Sequence, residues 1–306
     1  MHSASHGPWV EAAEGARLVG RSEGKCVCVV IESHESVREM IVGQAAKPYN
    51  RGVKILLCND DGIFAPGLMA MYAALAKRHH VDVVAPESVQ SGESHSITIR
   101  QPVMWRSVEV SGRFHGTSVS GTPADCIKLA LHSLFETKPD LIVSGINMGL
   151  NTGIHVLYSG TVAAAIEAAI FGYPAIAVSL QLYRDMDFDR AADIAARLIE
   201  KLVESGLKGG KVVNINIPEI KPDWPKGVRV AAQSCQPTVE RIEKRKDPHG
   251  GEYYWLSGDF GEIDNQAQTD LKAVREGYVC VTPLHFDLTD HEAMKKLQSA
   301  EWPKLD

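Results

Sequence analysis

The stretch that most constrains this chain is Val53–Gly67, VKILLCNDDGIFAPG. Val53 and then Ile55 to Cys58 are apolar or thiol positions, and the run breaks abruptly into Asn59, Asp60, Asp61 and Gly62. A short unbroken apolar run ahead of a turn suits a strand buried on both faces, as in a parallel sheet. The turn then falls at the carboxyl edge of that sheet, where open α/β folds place their ligands. Adjacent carboxylates repel each other and are costly to desolvate, so a bound cation is the simplest reason to keep both ionised. Asn, Asp and Gly are also ordinary turn formers, so a plain solvated turn stands beside the cation reading at this point.

The rest of the chain repeats the strand-then-helix rhythm. Pro66 and Gly67 precede Leu68, Tyr72 and Leu75, an apolar stripe at helical spacing, and Val81 to Ala85 reads as the next strand. Glu87 to Ser96 is polar and reads as a loop at the same edge, while Ile97–Val110 and Phe114–Ser120 alternate loosely, like extended excursion strands. Thr122 and Pro123 start a helix well, a hydroxyl at the cap and a proline in the first turn, with Ile127, Leu131 and Leu134 on its buried face. Leu141 to Val143 predicts a strand that switches to a glycine- and asparagine-rich loop running to Ser159, Gly160 and Thr161. A small-residue helix over Val162–Phe171 and a buried strand over Ala175–Leu180 follow. A helix from Phe188 to near Gly206 and strands over Val212–Ile217 and Val228–Ala232 complete the pattern. This alternation predicts an α/β fold with a doubly wound, mainly parallel sheet.

Three segments are expected: an N-terminal extension, 1–50, read as mobile; a core, 51–232; and a C-terminal arm and oligomerisation segment, 233–306. In the last, the mixed-sign run from Glu240 to Asp247 reads as a solvated face. Tyr253–Leu256 and Tyr278–Val281 read as strands of a hairpin or arm, and Thr289–Leu297 as a short helix.

Composition excludes several classes of partner. A formal charge of −6 argues against a broad nucleic-acid surface. No apolar run approaches the roughly 18 to 20 residues of a membrane span, and Met1–Gly24 carries Glu11, Glu14 and Glu23 without the apolar core of a signal peptide. The six cysteines contain no C-x-x-C, which disfavours a zinc cluster, and a disulfide framework is unsupported in a chain this long. Reduced thiols in a cytoplasmic protein fit best, with Cys58 and Cys126 as small core residues.

Three polar loops emerge at one sheet edge and pool their side chains there. Asp60 and Asp61 bring carboxylates, serines such as Ser91 bring hydroxyls, and Asn147 brings an amide oxygen. Such hard oxygen donors suit magnesium, manganese or calcium rather than zinc. Ser159-Gly160-Thr161 opens a helix whose free N–H groups and dipole favour phosphate. A divalent cation beside an anion-binding helix end predicts phosphate ester hydrolysis by a metal-activated water. Alternatives stay open: Ser94 and Ser96 compete with Ser91, Asn151 competes with Asn147, and Ser159 and Thr161 also serve as plain helix caps. His95 and His155 are candidate general acids, and Asp61 a candidate base or nucleophile. A haloacid-dehalogenase-type phosphatase needs an Asp-x-Asp, and here the carboxylates are adjacent. A nucleotide- or metal-binding sensor without turnover is the alternative outside enzymes.

Four ordered blocks, VKILLCNDDGIFAPG, VVAPESVQSGESHSIT, DLIVSGINMGLNTG and YSGTVAAAIEAAIFGYPAIAVSL, with EGYVCVTPLHFDLT near the end, resemble the signature blocks of the survival protein SurE family. The resemblance runs from Val53 to about Leu288. It implies a Rossmann-like phosphatase acting on nucleoside 5′- and often 3′-monophosphates, with some members acting on short polyphosphate. It also implies one divalent cation per subunit, Mg2+ or Mn2+, and homodimers or homotetramers that exchange C-terminal arms. On these positions the metal ligands would be Asp60, Asp61, Ser91 and Asn147. The phosphate would sit on Ser159, Gly160 and Thr161 and on backbone near Gly92. Cys58 departs from the family pattern, which has a small β-branched or hydroxyl residue there; facing the core, it implies a packing effect only.

Overall fold

The computed structural model of the chain describes residues 52–236, 239–259 and 268–305, so the N-terminal extension lies outside the described residues. The opening run forms β1 (Lys54–Cys58), followed by α1 (Pro66–Leu75) and β2 (His80–Pro86). β3 (Trp105–Val110), β4 (Phe114–Val119), α2 (Pro123–Leu129) and β5 (Leu141–Met148) come next. Then α3 (Gly160–Ile170), β6 (Ala175–Leu180), α4 (Phe188–Glu204), β7 (Val212–Ile217) and β8 (Val228–Val230) follow. The last described elements are β9 (Val239–Lys246), β10 (Glu252–Asp259), α5 (Asp270–Arg275), β11 (Val279–Leu284) and α6 (His291–Gln298).

Nine strands form one sheet in the order β3-β4-β2-β1-β5-β6-β7-β11-β8. From β4 to β7 every neighbouring pair is parallel. β1 therefore has β2 on one side and β5 on the other, and the chain reverses its direction of travel across the sheet there. That reversal opens the crevice at the carboxyl ends of β1 and β5.

Alternation along β1 serves both faces. Ile55 and Leu57 pack with Leu68 and Met71 of α1 and with Ala191, Ala195 and Ile199 of α4. Leu56 and Cys58 face the opposite layer with Cys126 and Ile127 of α2 and Ala164, Ala165 and Ala168 of α3. Each fully buried Leu, Ile or Met contributes about 1.5–3 kcal/mol. Cys58 is wholly buried in this second layer, as its core-facing reading required. The alanines of α3 keep that helix thin, so its N-terminus can lie close over the strand ends.

Four local expectations change. Residues 97–104 form no strand, and Phe114–Val119 is no excursion: it pairs parallel with β2 inside the main sheet, with Trp105–Val110 as its antiparallel edge. β5 does not stop at Val143 but runs on through Ser144 to Met148, with an irregularity between Ser144 and Asn147 opposite β6. Glycine at 145 makes the close approach to β6 possible: a Cβ there would stand 2.3 Å from the Val178 carbonyl oxygen. The mixed-sign run is solvated as read, Arg241–Asp247 all being exposed, but it also forms a strand, β9, paired antiparallel with β10 in a separate hairpin. Tyr278–Val281 is not part of that hairpin; β11 lies in the main sheet, antiparallel to β7 and parallel to β8. Charge pattern and alternation indicate whether a strand can form, whereas the partner is set by contacts far along the chain.

Candidate active site

Asp60 leaves β1 at the crevice and is only 4% exposed. The Thr161 hydroxyl donates to its Oδ1, and the Thr161 backbone N–H also bonds it. Gly160 permits this approach: a Cβ there would stand 2.9 Å from the Asp60 Cβ and 3.1 Å from its Oδ2. The N-terminus of α3 therefore rests directly on Asp60. Burial pushes the Asp60 carboxyl up to about 6, against the pull of the Thr161 hydroxyl, and the neighbouring Asp61 charge adds to the rise. Asp61 is half-buried, and burial raises it too, opposed by the Met148 N–H that donates to its Oδ2 at 3.0 Å.

The same β5 end carries Asn147. Its Nδ2 donates to the Gly149 carbonyl at 2.9 Å, which leaves the amide oxygen as the end not engaged by Gly149. Asn151, the competing candidate, is committed elsewhere. Its N–H donates to Asn216 Oδ1 and its Nδ2 to Ser179 Oγ, both at 2.8 Å, while its carbonyl accepts from Asn214 and Asn216.

The 87–96 loop is tied to both of its neighbours. Gln90 N–H donates to the Asp60 carbonyl at 2.8 Å, which places Ser91 and Gly92, both exposed, immediately beyond. Ser94 donates through its hydroxyl to Leu157 O at 2.7 Å and through its N–H to Tyr158 O at 3.1 Å. Ser94 is thus spent on joining two loops. Ser159 caps α3, its Oγ accepting the Val162 N–H at 3.1 Å. Asp60, Gly160 and Thr161 are accordingly in contact, and Asp61 is bonded to the residue after Asn147.

His95 does not stand free as a general acid. Its Nε2 lies 2.6 Å from Glu167 Oε2, and Lys128 Nζ lies 2.5 Å from Glu167 Oε1. Burial by itself raises the Glu167 carboxyl, but the His95 and Lys128 bonds outweigh it and hold the group below its ordinary range. This cluster pins the active loop to α2 and α3. Sequence reasoning passed over Glu167 and Lys128; the available signal was Glu167 as the one charge in GTVAAAIEAAI. His155 is partly buried, which lowers its imidazole, and it stands edge-on to Tyr158 at 6.4 Å.

The donor set fits a hard divalent cation. Both carboxylates are held in a setting that penalises their ionised form, a cost that a cation would relieve. Among the described residues no three His, Cys, Asp or Glu side chains group into a metal site. A cation here would complete its coordination beyond Asp60 and Asp61 with hydroxyl, amide or backbone carbonyl oxygens or with water.

A mainly parallel sheet that reverses at β1, with a helix N-terminus seated on Asp60 at its carboxyl edge, defines a Rossmann-like α/β protein, and that edge is where such folds take their ligands. The Survival protein SurE family matches residues 55–240, and this chain belongs to that family. A protein of Syntrophobacter fumaroxidans named 5′-nucleotidase SurE is 42% identical over 245 residues, spanning 80% of this chain and 98% of its own length. One of the same name from Nitratidesulfovibrio vulgaris strain DP4 is 47% identical over 250 residues, 81% of this chain and 100% of its own. The crystal structure of the SurE protein from Aquifex aeolicus matches with a TM-score of 0.70 at 39% identity, over 80% of this chain and 98% of that one.

Proposed function

We propose that the chain is a 5′-nucleotidase, a phosphoric monoester hydrolase that converts nucleoside 5′-monophosphates to nucleoside and phosphate. We extend the proposal to 3′-monophosphates and short polyphosphate as further substrates. The observation that carries it is the direct seating of the α3 N-terminus on the buried Asp60, which joins one carboxylate of the adjacent pair to an anion-binding helix end. Names borne by relatives at 42–47% identity and near-complete length support the same activity.

In this reading Asp60, Asp61, Ser91 and Asn147 hold one Mg2+ or Mn2+, and Gly92, Ser159 and Gly160 bind the phosphate, with Thr161 at the same helix end turning its hydroxyl and N–H to Asp60. The cation supplies a Lewis acid for the phosphoryl oxygen and lowers the pKa of water to a useful range. Thr161 holds Asp60 in place through its hydroxyl and N–H, and Met148 N–H does the same for Asp61. Gly160 and Ser159 present the helix end to the anion. The Ser94 bonds and the His95–Glu167–Lys128 cluster keep the 87–96 loop closed over that end.

Self-association through the C-terminal arm, as homodimer or homotetramer, is part of the proposal. Among the described residues β9 and β10 pair only with each other, and Ile242, Trp255 and Leu256 stand 63%, 57% and 77% exposed on the hairpin, an arrangement that is marginal in water without a partner. A cytoplasmic setting accords with the buried thiols of Cys58, Cys126 and Cys280. No helix among the described residues is long and apolar enough to cross a membrane.

The test is phosphate release from AMP, GMP, their 3′ isomers and tripolyphosphate with Mg2+ or Mn2+, with and without chelator. Release from 5′-monophosphates that the chelator abolishes is expected. No release from any nucleotide with either metal would sink the proposal, and a monomer by light scattering at micromolar concentration would remove its oligomeric part.

A further inference from the structure

A buried carboxylate outside the site described so far holds the loop that leads into α3. Asp270 opens α5 and is wholly inaccessible to solvent. Its Oδ2 accepts the Gly153 N–H at 2.8 Å, and its Oδ1 accepts those of Ser234 at 3.0 Å and Leu271 at 2.7 Å. Gln233 Nε2 donates to the Gly153 carbonyl, also at 2.8 Å. Both polar backbone atoms of Gly153 are therefore held by the chain on the two sides of the β9–β10 hairpin. Gly153 has a φ of +57°, and a Cβ there would meet the Ser234 carbonyl at 3.4 Å, so glycine suits the junction. Two residues earlier, Asn151 is anchored to β6 and β7 by its bonds to Ser179, Asn214 and Asn216. Six residues later, Ser159 caps α3.

Burying an aspartate is expensive unless hydrogen bonds compensate it; here burial raises the Asp270 carboxyl, and the N–H groups of Gly153, Ser234 and Leu271 offset part of that cost. A neutral amide would offer one acceptor oxygen where two segments each need one. The carboxylate suits a joint that must accept from the active loop on one oxygen and from the hairpin's base on the other.

We propose that Asp270 is a positioning residue for the phosphate-binding end of α3, fixing segment 150–158, and through it Ser159 and Gly160, to both ends of the hairpin. The proposal rests on the nucleotidase reading of the site. It makes the hairpin's base a mechanical neighbour of the phosphate cradle, so that a disturbance of the arm reaches the cradle without passing through the sheet.

The test uses the full chain with Asp270→Asn and, as a milder change that leaves every carboxylate in place, Gln233→Ala. Measured are KM and kcat for AMP with Mn2+, the inhibition constant of inorganic phosphate, and backbone amide hydrogen exchange. In Asp270→Asn, KM and the phosphate constant should rise about fivefold to twentyfold with kcat changed less than about threefold, the scale set by a small displacement of binding groups. Exchange protection should fall across 150–158 and persist in β1, β6 and α4. Gln233→Ala should move the same quantities about twofold to threefold, and it decides the matter if Asp270→Asn does not fold. Wild-type KM and phosphate constants in both variants would overturn the proposal, as would protection lost evenly across the sheet. Absence of nucleotide hydrolysis by the wild-type chain would overturn the nucleotidase reading instead, with the exchange pattern still deciding the role of Asp270.

Discussion

Replacing Asp60 by Asn should stabilise the cation-free protein at neutral and alkaline pH while removing its activity. In the folded chain the carboxyl sits at about 6, against an ordinary value of 3.8. The folded state therefore binds this proton more tightly than the unfolded one. The resulting stabilisation is fully present below 3.8 and is lost as the pH climbs through 6. At about 1.4 kcal/mol per tenfold change in the proton equilibrium, the ionised carboxylate costs the fold about 3 kcal/mol at pH 8. Asparagine removes that cost, which already includes the repulsion from Asp61, and it keeps an oxygen to accept from Thr161. Its NH2 group, placed beside Gly160 without an assured acceptor, returns part of the gain. The expected net effect is a variant more stable by about 1–3 kcal/mol at pH 8 and no more stable than wild type below pH 4. Urea denaturation in EDTA at pH 4, 6 and 8 measures it. Parallel pH profiles for the two proteins, or a variant less stable at pH 8, would refute the reasoning. Added Mn2+ should raise the midpoint of the wild type and leave that of the variant nearly unmoved.

Other perturbations separate the remaining roles. Asp61→Asn should lower kcat/KM with AMP by at least about 100-fold while leaving the circular dichroism spectrum unchanged, since in the proposed reading its loss falls on a cation ligand and not on packing; wild-type turnover would remove Asp61 from the site. Gly160→Ala should cost about 1–3 kcal/mol and most of the activity, because the new methyl lands 2.9 Å from Asp60 Cβ; thermal melts and an AMP assay check both. Glu167→Gln acts with the opposite pH dependence to Asp60→Asn. The depressed Glu167 carboxyl stabilises the fold above its ordinary value of 4.5, and that contribution is lost as the pH falls, so the variant should be weaker by about 1–3 kcal/mol at pH 7 and match wild type in acid. A constant deficit from pH 4 to 8 would contradict this.

Much of the site was legible because its parts sit where local rules place them. Asp60 and Asp61 follow an apolar run that must be buried on both faces, and Ser159 precedes a helix it then caps. The Thr122–Pro123 start of α2 likewise appears as read, with a full capping box to Asp125. β5 was cut short because a strand that carries functional groups into the crevice turns polar before it ends. Glu167, Lys128 and Asp270 escaped notice because a single charge carries no periodicity. Apart from Leu271, which adjoins Asp270, their partners lie 36 to 117 residues away.

The sequence by itself determined the alternation of strands and helices, the parallel core and the polar loops at its edge, since periodicity, caps and turns are properties of neighbours in the chain. Only the tertiary structure decided that Thr161 reaches Asp60, that Ser94 and Asn151 are spent on structure, and that β11 joins the main sheet while β9 and β10 leave it. These outcomes turn on which surfaces meet and at what distance, and such distances arise only when segments far apart in the chain are packed against one another.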